Sequence, residues 1–440
     1  MVYKCIDIYK KKNYKKSKYY MEYITFLNKF LWGGPILALL LSTHVIMTIR
    51  SRFVQKKVLT GIRYSAGQKG GASVLFTTLA ATLGTGNIIG VSTAIALGGP
   101  GALFWCLLTG FFGMATTYYE CYLSTKYKTP EGGGPMYVMR DVMNKPFLGK
   151  TYAFFMLLVC MSTGCLTQSN AVSVSFGQTF GISPVICGFL VAIISGLVIV
   201  GGKESIVKAC TKIVPVLCVF FILGCLFILC KNIIYIPASI RLIINDAFSL
   251  KACSGGLAGG GFILAARYGI ARGLFTNEAG MGSAGVFAGS STLSADTQAL
   301  VSMTATFWDT IVICTITGLV IISSFLADPS SVNGYGSGEY VMAAFSSVPY
   351  IGKPFLSLAI CGFAISTIIG WFYPGEQSVR FLFESKEEHI LPIIKTIYIV
   401  MVFLGSVFSL EQIWELADLF NIFLIVPNVY MLLFFKSVKK

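Results

Sequence analysis

Residues 80–90 read AATLGTGNIIG and lie in the middle of an apolar stretch that runs from about 72 to 97. The stretch is long enough for a membrane helix, yet Gly84, Gly86 and polar Asn87 fall near its centre. Lipid offers no partner to a freed backbone group, so an unwound stretch persists only where it lines a cavity or binds something. A second interruption is expected at Ser254 to Gly261 (SGGLAGGG), in the second half of the chain. Glycine-interrupted helices at matching positions of two halves point to the central site of a secondary transporter. Close helix packing is the plainer use of glycine, and Gly256 and Gly260 also make a G-x-x-x-G spacing. For GTGN packing is the weaker account, because Asn87 needs a partner at that depth. A carboxylate could rest on amides at such a break, and freed carbonyls suit a small hard cation such as Na+.

The rest of the chain agrees with a membrane setting. It has 440 residues, 55% hydrophobic and 12% charged, and its mean hydropathy is +0.75. A soluble chain carries about 25% charged residues. Eleven apolar segments are expected, near 31–49, 72–97, 101–123, 152–178, 184–201, 213–230, 252–266, 298–327, 354–379, 391–409 and 412–435. The fold class is therefore an all-α integral membrane protein, with the lipid bilayer as a partner.

The net charge of +15 is topological. Lys and Arg fall in alternate loops, 22 on one side, with Arg267 and Arg272 assigned there, against 4 on the other outside the N-terminal tail. By the positive-inside rule the C-terminus is cytoplasmic and the protein is multi-pass in the plasma (inner) membrane. Residues 1–30 form a basic tail with eight lysines, on the wrong side for eleven crossings. Met21 is the expected start, with residues 1–20 not native, and the segment at 31–49 is expected to be retained.

Several chemistries are excluded. The thirteen cysteines lie mostly in apolar segments without C-x-x-C spacing, as small buried hydrophobes do. Two histidines cannot make an H-E-x-x-H protease. Gly149-Lys150-Thr151 lacks the first glycine of a phosphate loop, where Asn144 stands, and Gly84-Thr85-Gly86 is followed by Ile89 where a dinucleotide fingerprint needs glycine. No nucleotide and no nucleic-acid partner is expected, and no enzyme activity.

At these residues the chain resembles the alanine or glycine:cation symporter family, the sodium:alanine symporters. The matching stretches are LAATLGTGNIIGVSTAIALGGPGALFW (79–105), GMATTYYE (113–120), GGGPMY (132–137), GLVIVGG (196–202), RGLFTNEAGMGSA (272–284), DTIVICTITG (309–318) and GWFYPGE (370–376). It departs from the family pattern at Cys106-Leu107, Val138, Gly285 to Gly289 and Gln377. The resemblance implies a leucine-transporter-type fold of two inverted five-helix repeats, 72–230 and 252–435, preceded by one extra helix at 31–49. It implies symport of a small neutral amino acid, alanine or glycine, with Na+, or in some members H+.

Residue roles follow from the resemblance. Thr85, Gly86 and Asn87 would bind the substrate carboxylate and amine. Gln168, in the polar run TGCLTQSN, would contact substrate rather than only bridge helices. For Na+, Ala80 and Leu83 would offer carbonyls opposite Ser366 and Thr367, with Asn87 as a further ligand and Thr367 also facing substrate. Trp371, four residues after Thr367 and so on the same helical face, would cap the substrate side chain and favour Ala or Gly over Leu. Among intramembrane carboxylates, Asp309 reads equally as an ion-coupling or a structural group, while Glu120 and Glu376 lie nearer segment ends. Proton coupling would need one of them, and none lies in the GTGN segment, which favours neutral oxygen ligands and Na+. The loop at 328–352 is read as a short helix over an outer vestibule or as a plain surface loop. The alternatives are a proton-coupled carrier, a carrier of glutamine or D-alanine, or an amino-acid-gated channel or sensor.

Overall fold

The structure, a computed structural model, describes residues 22–68, 70–249, 261–408 and 411–435. The described residues are helical throughout, and a lone bridge between Thr129 and Gly132 is the one trace of extended pairing among them. We number the principal helices α1 (Pro35–Arg50), α2 (Gly71–Thr82), α3 (Ile89–Gly98), α4 (Ala102–Lys126), α5 (Pro146–Met161), α6 (Thr167–Phe180), α7 (Pro184–Val200) and α8 (Gly202–Lys231). The second half continues with α9 (Gly261–Asn277), α10 (Ser283–Gly289), α11 (Ala295–Thr306), α12 (Thr315–Ala327), α13 (Tyr340–Ser346), α14 (Gly352–Phe383), α15 (Glu387–Val407) and α16 (Glu411–Phe434).

A helix lies over each of the eleven expected segments, although the bounds shift. By length and composition six helical stretches among the described residues can cross a membrane, and the bent pair α2–α3 makes a seventh. The seventh expected segment is the one most altered. Of SGGLAGGG only Gly261 is described, and α9 runs on to Asn277. Arg267 and Arg272, expected in a loop, therefore lie inside a helix. The reason is local: α9 is uninterrupted until Glu278, where the backbone first turns left-handed. Among the described residues of the second half, the backbone breaks at 278–282, within NEAGMG.

Two π turns interrupt long helices. Ser162–Leu166 joins α5 to α6, and Phe307–Cys314 joins α11 to α12. Each opens the helical ladder by one residue, a device found often at functional sites. Around these, α4 is the central post. Its contact with α9 is so close that a Cβ on Gly273 would stand 2.1 Å from Thr109 Oγ1. Small residues let backbones approach in a medium that gives no hydrophobic drive between helices. The extra helix α1 packs against α4 and α16. Its last residue, Arg50, donates from Nη1 to the Leu432 carbonyl (3.1 Å) and from Nη2 to that of Leu433 (3.3 Å). In the 328–352 segment α13 buries Val341 to Phe345, and the Val341 N–H donates to Ser92 Oγ on α3 (3.0 Å). The short-helix reading of that loop is the one observed.

Candidate functional site

The first break is built by a short run of exceptions to helical hydrogen bonding. The axes of Gly71–Thr82 and Thr85–Gly98 meet at a 64° bend. Gly84 is extended, and its N–H turns back to the Thr82 carbonyl (2.9 Å) and to Asn87 Oδ1 (3.2 Å). The Thr85 N–H goes to Gln168 Oε1 (3.2 Å), which also accepts from Thr85 Oγ1 (3.0 Å). The helical donors of the Ala80 and Ala81 carbonyls are thereby committed elsewhere. The Leu83 carbonyl accepts from Thr367 Oγ1 (3.2 Å), and Ser366 Oγ donates to Phe363 O (2.9 Å) one turn back on α14. Glycine at 84 serves space: a Cβ there would stand 2.9 Å from Thr367 Oγ1 and 3.1 Å from Gln168 Oε1.

This brings together Leu83, Thr85, Gln168 and Thr367, all buried. Gly370, three residues after Thr367, lies against Ala80, where an added Cβ would be 3.1 Å from the Ala80 Cβ. Asn87 has its side chain engaged. Beyond the bond to Gly84, its Nδ2 donates to Asp309 Oδ1 (2.7 Å), to the Asp309 carbonyl (3.2 Å) and to Cys314 Sγ (3.5 Å). Asp309, in the π turn, also accepts from Thr310 Oγ1 (2.7 Å). Trp371 is fully buried, and its ring packs on Gly164 in the other π turn, where a Cβ would be 2.7 Å from its own.

A cavity of about 320 Å³ opens onto this region. Thr85, Gly86 and Gln168 form its polar wall, and Val174, Phe275 and Met342 line its apolar side. Arg272 and Glu339 also line it, and Gln178 Nε2 donates to Glu339 Oε1 (2.5 Å) between α6 and the segment before α13. Asn87, Ser366, Thr367 and Trp371 lie behind the wall rather than on it. The volume is at the lower end of small-molecule pockets, which begin near about 300 Å³.

The second break faces the first. A Cβ on Gly86 would meet Thr276 Oγ1 at 3.6 Å, and one on Gly90 at 3.9 Å. Here the backbone turns left-handed at Glu278 (φ 54°), Gly280 (96°) and Gly282 (80°). The Ala279 N–H donates to Asn277 Oδ1 (3.0 Å), and Tyr152 OH donates to the Met281 carbonyl (3.0 Å). Glu120 Oε1 accepts from the Gly280 N–H (2.9 Å), the Gly282 N–H (3.1 Å) and Asn428 Nδ2 (2.6 Å). The third intramembrane carboxylate, Glu376, pairs with Arg380 (2.9 Å). Thr276, Glu278 and Asn428 were not singled out from the sequence. The signal available for Glu278 was the alternation of residues in NEAGMG rather than its glycine count.

Two helix breaks that face each other beside a cavity, in a chain with several helices apolar and long enough to cross a membrane, suit a membrane transporter. The model of the sodium:alanine symporter family matches residues 17–440, and the chain belongs to that family. The sodium/alanine symporter AgcS of Methanococcus maripaludis is 38% identical over 439 residues, covering 95% of each chain. The Bacillus subtilis protein named "Probable sodium/glutamine symporter GlnT" is 33% identical over 91% of this chain and 85% of its own. The fold likeness extends to the crystal structure of MhsT in complex with L-phenylalanine, at TM-score 0.58 and 15% identity, over 83% of this chain and 88% of that one. The chain is a multi-pass membrane transporter, not an enzyme, and its relatives carry transporter names.

Proposed function

We propose that the protein takes up a small neutral amino acid, alanine or glycine, by symport with Na+ through alternating access. One observation carries the reading: at the first break, α2 ends and α3 begins beside a cavity. The end of α2 presents carbonyls whose helical donors are committed elsewhere, which suits a cation. The start of α3 presents the positive end of a half-helix, which suits a carboxylate. Na+ would take the carbonyls of Ala80 and Leu83 with the hydroxyls of Ser366 and Thr367, displacing the Thr367–Leu83 hydrogen bond. The substrate carboxylate would displace Gln168 from Thr85 and lie along Gly86. Asn87, braced by Asp309, holds the turn between the two and reaches either ligand only by giving up part of its own bonding. Trp371 would limit the depth of the site through Gly164 rather than by touching the opening.

The two halves, 72–230 and 252–435, would form the inverted repeats, with the break at 278–282 as the counterpart of that at 83–88. With the C-terminus cytoplasmic, the cavity mouth at Gln178 and Glu339 faces outward, and the segment around α13 would close over it. Glutamine and D-alanine are the competing substrates, and H+ the competing ion.

Labelled L-alanine uptake into proteoliposomes tests this, with an inward Na+ gradient against an equal K+ gradient, in wild type and Asn87→Ala. Accumulation that needs Na+ and disappears in the folded variant is the expected result. Accumulation driven by an imposed proton gradient without Na+ would overturn the ion assignment. No accumulation under either gradient, with saturable alanine binding, would favour a sensor.

A further inference from the structure

We propose that Glu120 is a positioning residue for substrate binding: its carboxyl group is a built-in acceptor for the second break, and so sets the wall of the first. The transport side of this inference rests on the amino-acid reading above. Successive backbone N–H groups that converge at a left-handed turn make a concavity suited to an anion. At the second break the N–H groups of Gly280 and Gly282 converge on one oxygen, and that oxygen belongs to the protein. Asn428 completes the arrangement from α16, donating from the same Nδ2 to Glu120 Oε1 and to the Gly280 carbonyl (2.9 Å). Glu120 is fully buried, and none of the ion pairs among the described residues includes it. Its Oε1 is thus met by the break and by Asn428. The second carboxylate oxygen has no hydrogen-bond partner among the described residues, so the grip is concentrated on Oε1.

The effect reaches the first break in a few residues. Gly280 is two residues after Glu278 and four after Thr276, the side chain that Gly86 and Gly90 face. Between them the Ala279 N–H is tied to Asn277 and the Met281 N–H to the Glu278 carbonyl (3.0 Å), so the turn moves as one piece. On its other side, Gly280 abuts α1, where a Cβ would be 2.4 Å from Leu40 Cδ2. Released from Glu120, the turn is blocked toward α1 at Gly280, and a shift the other way would carry Thr276 against Gly86.

The test compares Glu120→Gln, Thr276→Ala, their combination, and Asn428→Ala, in the full chain reconstituted with an inward Na+ gradient. Gln keeps an acceptor for the two N–H groups but sets an amide NH2 where Glu120 has its unpartnered second oxygen, which disturbs the grip on the turn. The expected result for Glu120→Gln is a KM for L-alanine raised about tenfold, with kcat per folded carrier within about twofold. In the Thr276→Ala background the same change should add less than about twofold, since coupled residues are not additive. Penalties that simply multiply, or an unchanged KM, would overturn the proposal. If Glu120→Gln gives no folded carrier, Asn428→Ala is read in its place, with the same direction expected. Amide hydrogen exchange across 277–283 is the second readout: it should speed up in either variant, and unchanged exchange sinks the idea. Because exchange is read without transport, a wild type that takes up no alanine would defeat the proposed function and leave this measurement to decide the role of Glu120.

Discussion

The two breaks solve the same problem in opposite ways. At the first, backbone donors and acceptors are met by neutral side chains, Gln168, Asn87 and Thr367, two of which a ligand could replace. At the second, two donors are met by a buried carboxylate that is part of the chain. Glycine also works differently in each. Gly84 has ordinary negative φ and is needed because two side-chain oxygens approach it, whereas Gly280 and Gly282 are needed for their left-handed backbone. The first break is organised for exchange and the second for permanence.

The sharpest way to break this comparison is to place alanine in both. Gly282→Ala puts a Cβ 2.6 Å from both Asn428 Oδ1 and Tyr152 OH at φ 80°. Strain and overpacking together cost about 3 kcal/mol. Most folded protein should be lost in a size-exclusion and thermal-unfolding assay, and wild-type stability would show that the left-handed turn is not what holds the second break. Gly84→Ala should instead fold and purify normally, while Na+-driven alanine uptake falls about 100-fold, as misplacing a site by about 1 Å can do. Equal losses of folded protein in the two variants would erase the distinction.

Two smaller effects sharpen the picture of the first break alone. Thr367→Ala removes the hydroxyl beside the Leu83 carbonyl and should raise half-saturating Na+ about tenfold, with alanine KM at saturating Na+ nearly unchanged. A rise in alanine KM instead would assign Thr367 to the substrate. Trp371→Phe, which keeps an aromatic ring and opens only a few atoms' worth of space, should have the mildest consequence, a few-fold gain in leucine inhibition of alanine uptake. No change in the rank of competing amino acids would leave Trp371 as packing.

Much of this was legible in residues 80–90, because unlike neighbours, glycine and Asn at mid-membrane, leave few structural outcomes. A second break is seen at 278–282, while all of SGGLAGGG but Gly261 lies outside the described residues. SGGLAGGG draws attention by count, but what turns a chain out of a helix here is the sign of φ at alternate positions, 278, 280 and 282, and one of those is Glu278. A non-glycine residue held left-handed is invisible in composition. Glu120 was noticed as a costly charge near a segment end, and its partners, being backbone amides 160 and 162 residues away, could not be inferred from pattern. Arg272 was misassigned for the same reason as the break that follows it. Trp371 and Thr367 lie four residues apart on α14, but helical spacing does not say whether a side chain there meets an opening or packs over Gly164.

The π turn at Phe307–Cys314 gives chain length itself a role. The turn accommodates one residue more than an α-helical turn and aims Asp309 at Asn87. If the same residues ran as a regular α-helix, side chains five positions apart would be splayed by about 140°. Asp309 and Cys314, which both meet the Asn87 amide, could not then face it together. In this stretch the width of the turn, more than any neighbouring side chain, keeps both groups on the amide, so relatives that keep the Asn–Asp contact are expected to keep the wide turn while its other letters vary.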